Sequence, residues 1–259
     1  MALPSQVALL LAAAALSAAG APQPRLTCEV APRVIGMGAF YNGADLRIGG
    51  IAAAGSKVIV TIAGRGHEER FNRKSRLGPV WIGAGRVRMA GAPSLFLRFD
   101  PEPISGMLDR DTIALRQLDE ASLSAHIAVD PHGPADARLR ADFLALKKTD
   151  GTLLLSESGV VLKPAPDGAA YAVNLRWPKK APPAEYEVHV YEVRGGSITA
   201  ETSVPLSVVR SGFPAWLAET AEHRAPLYGI TAVLIGVLAG FGIDFVTTLL
   251  FGKKRSAAH

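Results

Sequence analysis

Leu227–Phe251, LYGITAVLIGVLAGFGIDFVTTLLF, is an apolar run with a single ionisable side chain, Asp244. A helix crossing a bilayer core needs about 20 apolar residues, and this run is long enough. Its Leu, Ile, Val and Phe side chains each favour insertion by about 0.3–0.6 kcal/mol, roughly 4–8 kcal/mol in sum. One Asp at the helix centre opposes insertion by about 2.5–3.5 kcal/mol. Asp244 also lies towards the basic end, where the carboxylate can reach the interface. The run therefore predicts one transmembrane helix, 227–251, and the rest of the chain is arranged around it.

Within the run, Ala232, Gly236, Gly240 and Asp244 recur at i, i+4. This spacing aligns three small residues and one carboxylate along a single stripe. Small residues let helices approach closely, and an acid inside a membrane faces protein or water rather than lipid. The stripe is a candidate docking face for a membrane-protein partner or for a second copy of the helix. The plainer alternative is that Asp244 snorkels and the glycines are incidental.

Both ends of the chain specify an address. Lys253, Lys254 and Arg255 come after the span in a short tail, 252–259, which the positive-inside rule places in the cytoplasm. The first 21 residues combine an apolar core, Val7–Leu16, with the small residues Ser17–Ala21, the pattern of a secretory signal peptide. The n-region has no Lys or Arg, so an uncleaved anchor is the alternative. Either way the expected topology is single-pass in a bacterial inner membrane, with a periplasmic N-terminal domain. The net charge is +5, three units of which sit in the tail. That leaves no concentrated basic surface of the kind a nucleic-acid-binding domain requires. The one cysteine, Cys28, cannot form an internal disulfide. Its alternation with Leu26 and Val30 predicts a small buried core residue.

The exported part reads as mainly β, with immunoglobulin-like β-sandwich character and a helical insertion. Residues 22–104 form a first β-rich region of short alternating segments: Ala44–Ile48, Lys57–Ile62, Val80–Ile82, Arg86–Met89 and Ser94–Phe99, punctuated by glycines. Residues 105–158 change period. Asp111 is positioned to cap a first helix there, and Leu139, Phe143 and Leu146 predict the inner face of a second over 136–148, stopped at Gly151. Residues 159–212 return to strands: Gly159–Lys163, Ala170–Trp177, Glu185–Val193 and Ser197–Val209. In the third of these, Tyr186, Val188 and Val190 share one face and Glu187, His189, Tyr191 and Val193 the other. A juxtamembrane segment, 213–226, carries Trp216 as an interfacial anchor.

The segment RGHEERFNRKSR, 65–76, is the one conspicuous charge cluster. Arg65, Arg70, Arg73, Lys74 and Arg76 could bind an anion such as a phosphate, a sulfur oxyanion or a lipid headgroup. The alternative is a charged edge strand that resists edge-to-edge pairing, with Phe71 as its single inward aromatic. No nucleophile elbow, P-loop, dinucleotide glycine pattern, HExxH or CxxC pair is present. His126 and His132, expected in loops, lack the neighbours a metal site needs. Asp109, Asp111, Asp119 and Glu120 read as helix-surface acids. The expectation is therefore a protein without catalytic residues, metal or cofactor.

Four segments resemble a known family. They are Phe40-Tyr41-Asn42-Gly43-Ala44-Asp45-Leu46, Val80-Trp81-Ile82 with Ala92-Pro93-Ser94, Pro183 to Tyr191, and Ala225 to Val233 running into the span. Their order and spacing resemble the putative transmembrane protein family found mainly in alphaproteobacteria. Ile48-Gly49 stands where that family usually has Phe-Gly, a conservative departure. The resemblance implies a signal peptide, an exported region and one C-terminal helix. It carries over no catalytic residue, and it implies association with membrane permeases of the sulfite-exporter type.

Overall fold

The computed structural model describes residues 26–251; the expected signal peptide, 1–21, and tail, 252–259, lie outside the described residues. The chain divides into two compact units, Met1–Ile35 with Gly43–Ser207, and Gly36–Asn42 with Val208–His259. The described fold is mainly β, with three sheets, five α-helices and one long apolar C-terminal helix among them.

A four-stranded antiparallel sheet runs in the order β1 (Glu29–Ala31), β3 (Asp45–Ala52), β11 (Gly168–Arg176), β10 (Val161–Ala165). Alternation decides its faces: Leu46 and Ile48 of β3 and Tyr171 and Val173 of β11 are buried. A six-stranded sheet runs β2 (Val34–Met37), β13 (Ser197–Arg210), β12 (Glu185–Arg194), β4 (Lys57–Gly64), β7 (Phe96–Asp100), β9 (Leu153–Glu157). Trp177, just beyond β11, packs edge-on against Tyr186 of β12 with ring centroids 4.9 Å apart. Ala53, just beyond β3, donates its N–H to the buried Glu192 carboxylate of β12. These contacts close the first sheet on the second.

The centre of the second sheet is buried on both faces. In β4, Val58, Val60 and Ile62 lie on one side and Ile59 and Thr61 on the other, all buried. That explains why β4 reads as a near-continuous β-branched run rather than a clean alternation. Ile59, Tyr191 and Val193 pack against Ile104, Met107, Leu108, Ile113 and Leu118, which form a helical layer over that second face.

The helical section exists because β7 and β9 are parallel, with Phe96 opposite Leu153 and Asp100 opposite Glu157. Parallel neighbours need a long crossover. Here it contains a 3-10 turn at Ile104–Gly106, α1 (Arg110–Leu115), α2 (Glu120–His126) and α3 (Asp136–Asp150). Asp109, not Asp111, caps α1 by accepting the Thr112 N–H. Asp119 caps α2 in a reciprocal box with Ser122. These two acids have structural roles at helix starts, where orphan N–H groups need acceptors. His126 ends α2 rather than sitting in a loop. α3 stops at Gly151 in the left-handed conformation, as expected. Its inner face uses Phe143 and Leu144; Leu146 is 43 % exposed.

The section is not wholly helical. Besides β9 it holds β8 (Ala128–Asp130), which pairs with β6 (Val80–Ala90), itself paired with β5 (Glu69–Leu77), in a third sheet. Val80–Ile82 and Arg86–Met89 are thus one strand. Val87, Met89 and Val129 pack with Leu123, Phe143 and Leu144 in a separate cluster. Phe71 joins it edge-on to Phe143, 5.6 Å between centroids.

In the second unit, the Ser211 N–H donates to the Met37 carbonyl. Beyond it come α4 (Phe213–His223) and α5 (Ala225–Phe251). Phe213 stacks on Trp216 at 5.7 Å. At about 1.5 Å per residue, the 27 residues of α5 reach past a hydrocarbon core of about 30 Å.

Candidate functional site

Three places in the described chain merit attention: the α5 stripe, the basic strand, and a cleft that the sequence did not reveal. Cys28 is at none of them. It is half-buried, not a full core residue, because β1 begins one residue later and only Val30 points fully inward. Burial raises its thiol pKa, so its reactivity is suppressed.

On α5, Ala232, Gly236, Gly240 and Asp244 fall on one helical row, as the spacing requires. A Cβ built on Gly236 or Gly240 meets nothing within 4 Å. No other part of the described chain therefore packs on the row at these two glycines. Asp244 contributes its carbonyl to the Thr247 hydroxyl.

The five cations of the 65–76 segment are distributed rather than gathered. Arg65 precedes β5 and lines a shallow hollow with His67, Ser94 and Glu185. Arg70 lies opposite Arg88 and is paired with Glu68 at 2.8 Å. Arg73, Lys74 and Arg76 lie further along β5, where only β6 accompanies it. Arg76 donates to the Gly78 carbonyl. The strand is at the edge of its three-stranded sheet, as a charged edge strand would be.

The cleft has a volume of about 290 Å³ and opens between β4, β12 and the α1–α2 link. Its polar lining is Thr61, Arg116, Gln117, His189 and Tyr191, and Gly64, Gly66 and Gly91 also border it. The Arg116 guanidinium lies over the Tyr191 ring at 5.7 Å, and its Nη1 is 3.0 Å from Glu201 Oε2. The His189 ring stacks on Tyr191 at 6.2 Å, and its Nε2 is 3.1 Å from Glu187 Oε2. His189 Nδ1 is buried without a hydrogen-bond partner, since Glu201 Oε1 at 3.6 Å is too far. Burial raises the Tyr191 pKa; the nearby Glu201 charge adds to this and Arg116 opposes it. Gln117 adopts φ 53°, a left-handed conformation that is uncommon outside glycine. The cleft has room for a small polar molecule beside Thr61, Arg116 and Tyr191.

Sequence reasoning placed His189 and Tyr191 on one strand face but did not connect them with Arg116. The cleft is assembled from β4, β12 and the α1–α2 link, and no spacing rule brings those together. Among the described residues no group of three or more His, Cys, Asp or Glu side chains could hold a metal ion.

No curated protein and no solved structure matches the chain significantly. A protein family does: the one described as "Putative transmembrane protein" (Alph_Pro_TM) matches residues 25–248. The match covers the strands, the crossover helices and nearly all of α5, and α5 is the one described helix long and apolar enough to cross a membrane. The chain belongs to this transmembrane protein family.

Proposed function

We propose that this protein is a non-enzymatic accessory protein of the bacterial inner membrane. Its β-rich unit is periplasmic, its C-terminus is cytoplasmic, and α5 docks on a partner membrane protein of the permease type. The supporting observation is the exposed row Ala232, Gly236, Gly240 and Asp244, with no other element of the described chain packed against either glycine. An i, i+4 row of small residues suits a close right-handed crossing near −40°. Asp244 at its end would meet a polar or cationic group on the partner. The permease-type partner rests on the family resemblance.

A photo-crosslinker at Gly240, introduced into the intact protein in native membranes, tests this. The expected outcome is a discrete adduct that is absent when the crosslinker stands at Leu238, about 200° around the helix. The adduct should disappear with Gly236→Ile, which puts a bulky side chain on the row. Equal labelling from both positions, or none from Gly240, sinks the docking proposal. A dimer of this chain as the adduct would make self-association the occupant.

The second possibility is an anchored module that binds an anion or other small ligand. The cleft over His189 favours it more than the spread cations Arg65, Arg70, Arg73, Lys74 and Arg76 do. A ligand module of this kind predicts no specific adduct at Gly240, so the same experiment separates the two.

A further inference from the structure

The third sheet continues beyond its own core as a two-stranded ribbon. β8 pairs only with Arg88, Met89 and Ala90 of β6. From Asn72 and Arg86 outward, β5 and β6 have only each other, ending where Leu77 faces Val80 across Gly78-Pro79. Gly78 has φ 61°, and proline holds the next φ near −65°; this order is that of a type II′ hairpin turn. Five residues of β5 beyond Asn72 carry the tip roughly 17 Å outward at about 3.3 Å per residue. Every described side chain between Asn72 and Arg86 is exposed.

Two features of the ribbon occur together. Its tip is apolar: Leu77 is 69 %, Val80 57 % and Ile82 43 % exposed, with Pro79 between them. Its shafts are basic: Arg73, Lys74, Arg76 and Arg86 have no ion-pair partner among the described residues. No Asp or Glu occurs from Arg70 to Phe99. The hairpin Glu69–Ala90 holds six cations and one acid, a balance equal to the net charge of the whole chain, +5. Protection of an edge strand accounts for the charges. It does not account for three aliphatic side chains held in water at the end of a ribbon, where an unsupported two-stranded hairpin is already marginal.

We propose that this hairpin is a second membrane contact: Leu77, Val80 and Ile82 enter the interfacial layer of an anionic bilayer while Arg73, Lys74, Arg76 and Arg86 bind its phosphates. The occupant is a lipid surface because the charges are complementary to anionic headgroups and apolar residues lead them. A helix in the same chain that is long and apolar enough to span tethers the β-rich unit to a bilayer. Basic residues and apolar side chains in one element form the combination that binds such interfaces. The proposal rests on α5 as an anchor but not on what its small-residue row meets.

The test uses the full-length protein with Cys28→Ser, reconstituted in lipid vesicles and carrying a nitroxide at Val80→Cys or, as control, at the exposed Lys163→Cys of β10. In vesicles containing phosphatidylglycerol, the label at position 80 should lose most of its collisions with a water-soluble nickel chelate and gain collisions with oxygen. The label at 163 should stay aqueous. In vesicles of phosphatidylcholine alone, position 80 should also be aqueous. Arg73→Glu, Lys74→Glu and Arg76→Glu combined should return it to the aqueous signature. So should raising salt from about 0.01 M to about 1 M, which shortens the screening length from about 30 Å to about 3 Å without altering the chain. An aqueous label at 80 in phosphatidylglycerol vesicles overturns the proposal. So does protection that is indifferent to lipid charge, or spin–spin broadening that reveals a second copy on the tip. Because the crosslinking at Gly240 has a different readout, failure of one does not imply failure of the other.

Discussion

Arg98 and Asp100 stand two apart on β7 and are both enclosed, at 3 % and 0 % side-chain exposure, with Nε 2.7 Å from Oδ2. Arg98 also donates to the Leu118 carbonyl of the α1–α2 link, while Asp100 Oδ1 has no partner. Burial pushes the Asp100 pKa up to about 6 against the opposing pull of Arg98, with Glu157 on the adjacent strand adding to the rise. A carboxyl with a raised folded-state pKa favours folding while protonated. Its contribution is complete below the unfolded value of 3.8 and is lost as pH rises through about 6. That gap corresponds to about 3 kcal/mol. Stability by denaturant titration in detergent should therefore fall between about pH 4 and pH 6. In Asp100→Asn this part of the pH slope should vanish, and above about pH 6, where the parent carboxylate is the counter-charge of Arg98, the variant also loses that pair, a cost of about 3–5 kcal/mol. A slope unchanged in Asp100→Asn would show that other groups cause it. Nothing in Ser94–Phe99 signals the pair: an arginine in an alternating strand reads as solvent-facing, and only the crossover folded over β7 makes it internal. Asp244, by contrast, is legible from composition alone, because one acid in 25 apolar residues has few explanations.

The strands whose burial obeys a simple rule are the ones that periodicity locates. β3, β11 and β12 alternate, and β4 is apolar on both faces, so their positions can be read to within a few residues. β8 and β9 are too short to carry a pattern and lie among helical residues, and so they are missed; β9 is recognisable only once its parallel pairing with β7 is seen. α3 shows the limit within an element. Leu139, Phe143 and Leu146 satisfy a helical period, and so do Leu139, Phe143 and Leu144, and the sequence cannot choose between them. Packing can: Phe143 and Leu144 enter the cluster with Val87, Met89 and Val129, and Leu146 does not. Phe143→Ala should therefore destabilise the β-rich unit by about 3–5 kcal/mol, removing its contact with Phe71 as well. Leu146→Ala should stay within about 0.5 kcal/mol of the parent. Comparable losses for the two in thermal or denaturant unfolding would place Leu146 in the core and contradict the observed face.

For the whole molecule, orientation depends on where its cations lie relative to α5. The hairpin has a net charge of +5, yet it belongs to a segment far longer than the roughly 60 residues over which the positive-inside rule counts charge. It therefore says nothing about which side the β-rich unit occupies. Close to the span the comparison is simpler. Arg224 is the one Lys or Arg in the 15 residues before Leu227, whereas Lys253, Lys254 and Arg255 all lie within a few residues of Phe251. The imbalance favours retention of the C-terminal side in the cytoplasm, and an N-terminal signal peptide, as the sequence predicts, would act in the same direction by exporting the β-rich unit behind it. Alkaline phosphatase, which folds only where disulfides form, reports the outcome when fused in turn after Arg210 and after His259. The first fusion should be active and the second inactive. Replacing Lys253, Lys254 and Arg255 with glutamine should reduce the difference, because it removes the asymmetry without shortening the apolar run. The reverse pattern of activity would put the β-rich unit in the cytoplasm, and with it the hairpin on the opposite leaflet.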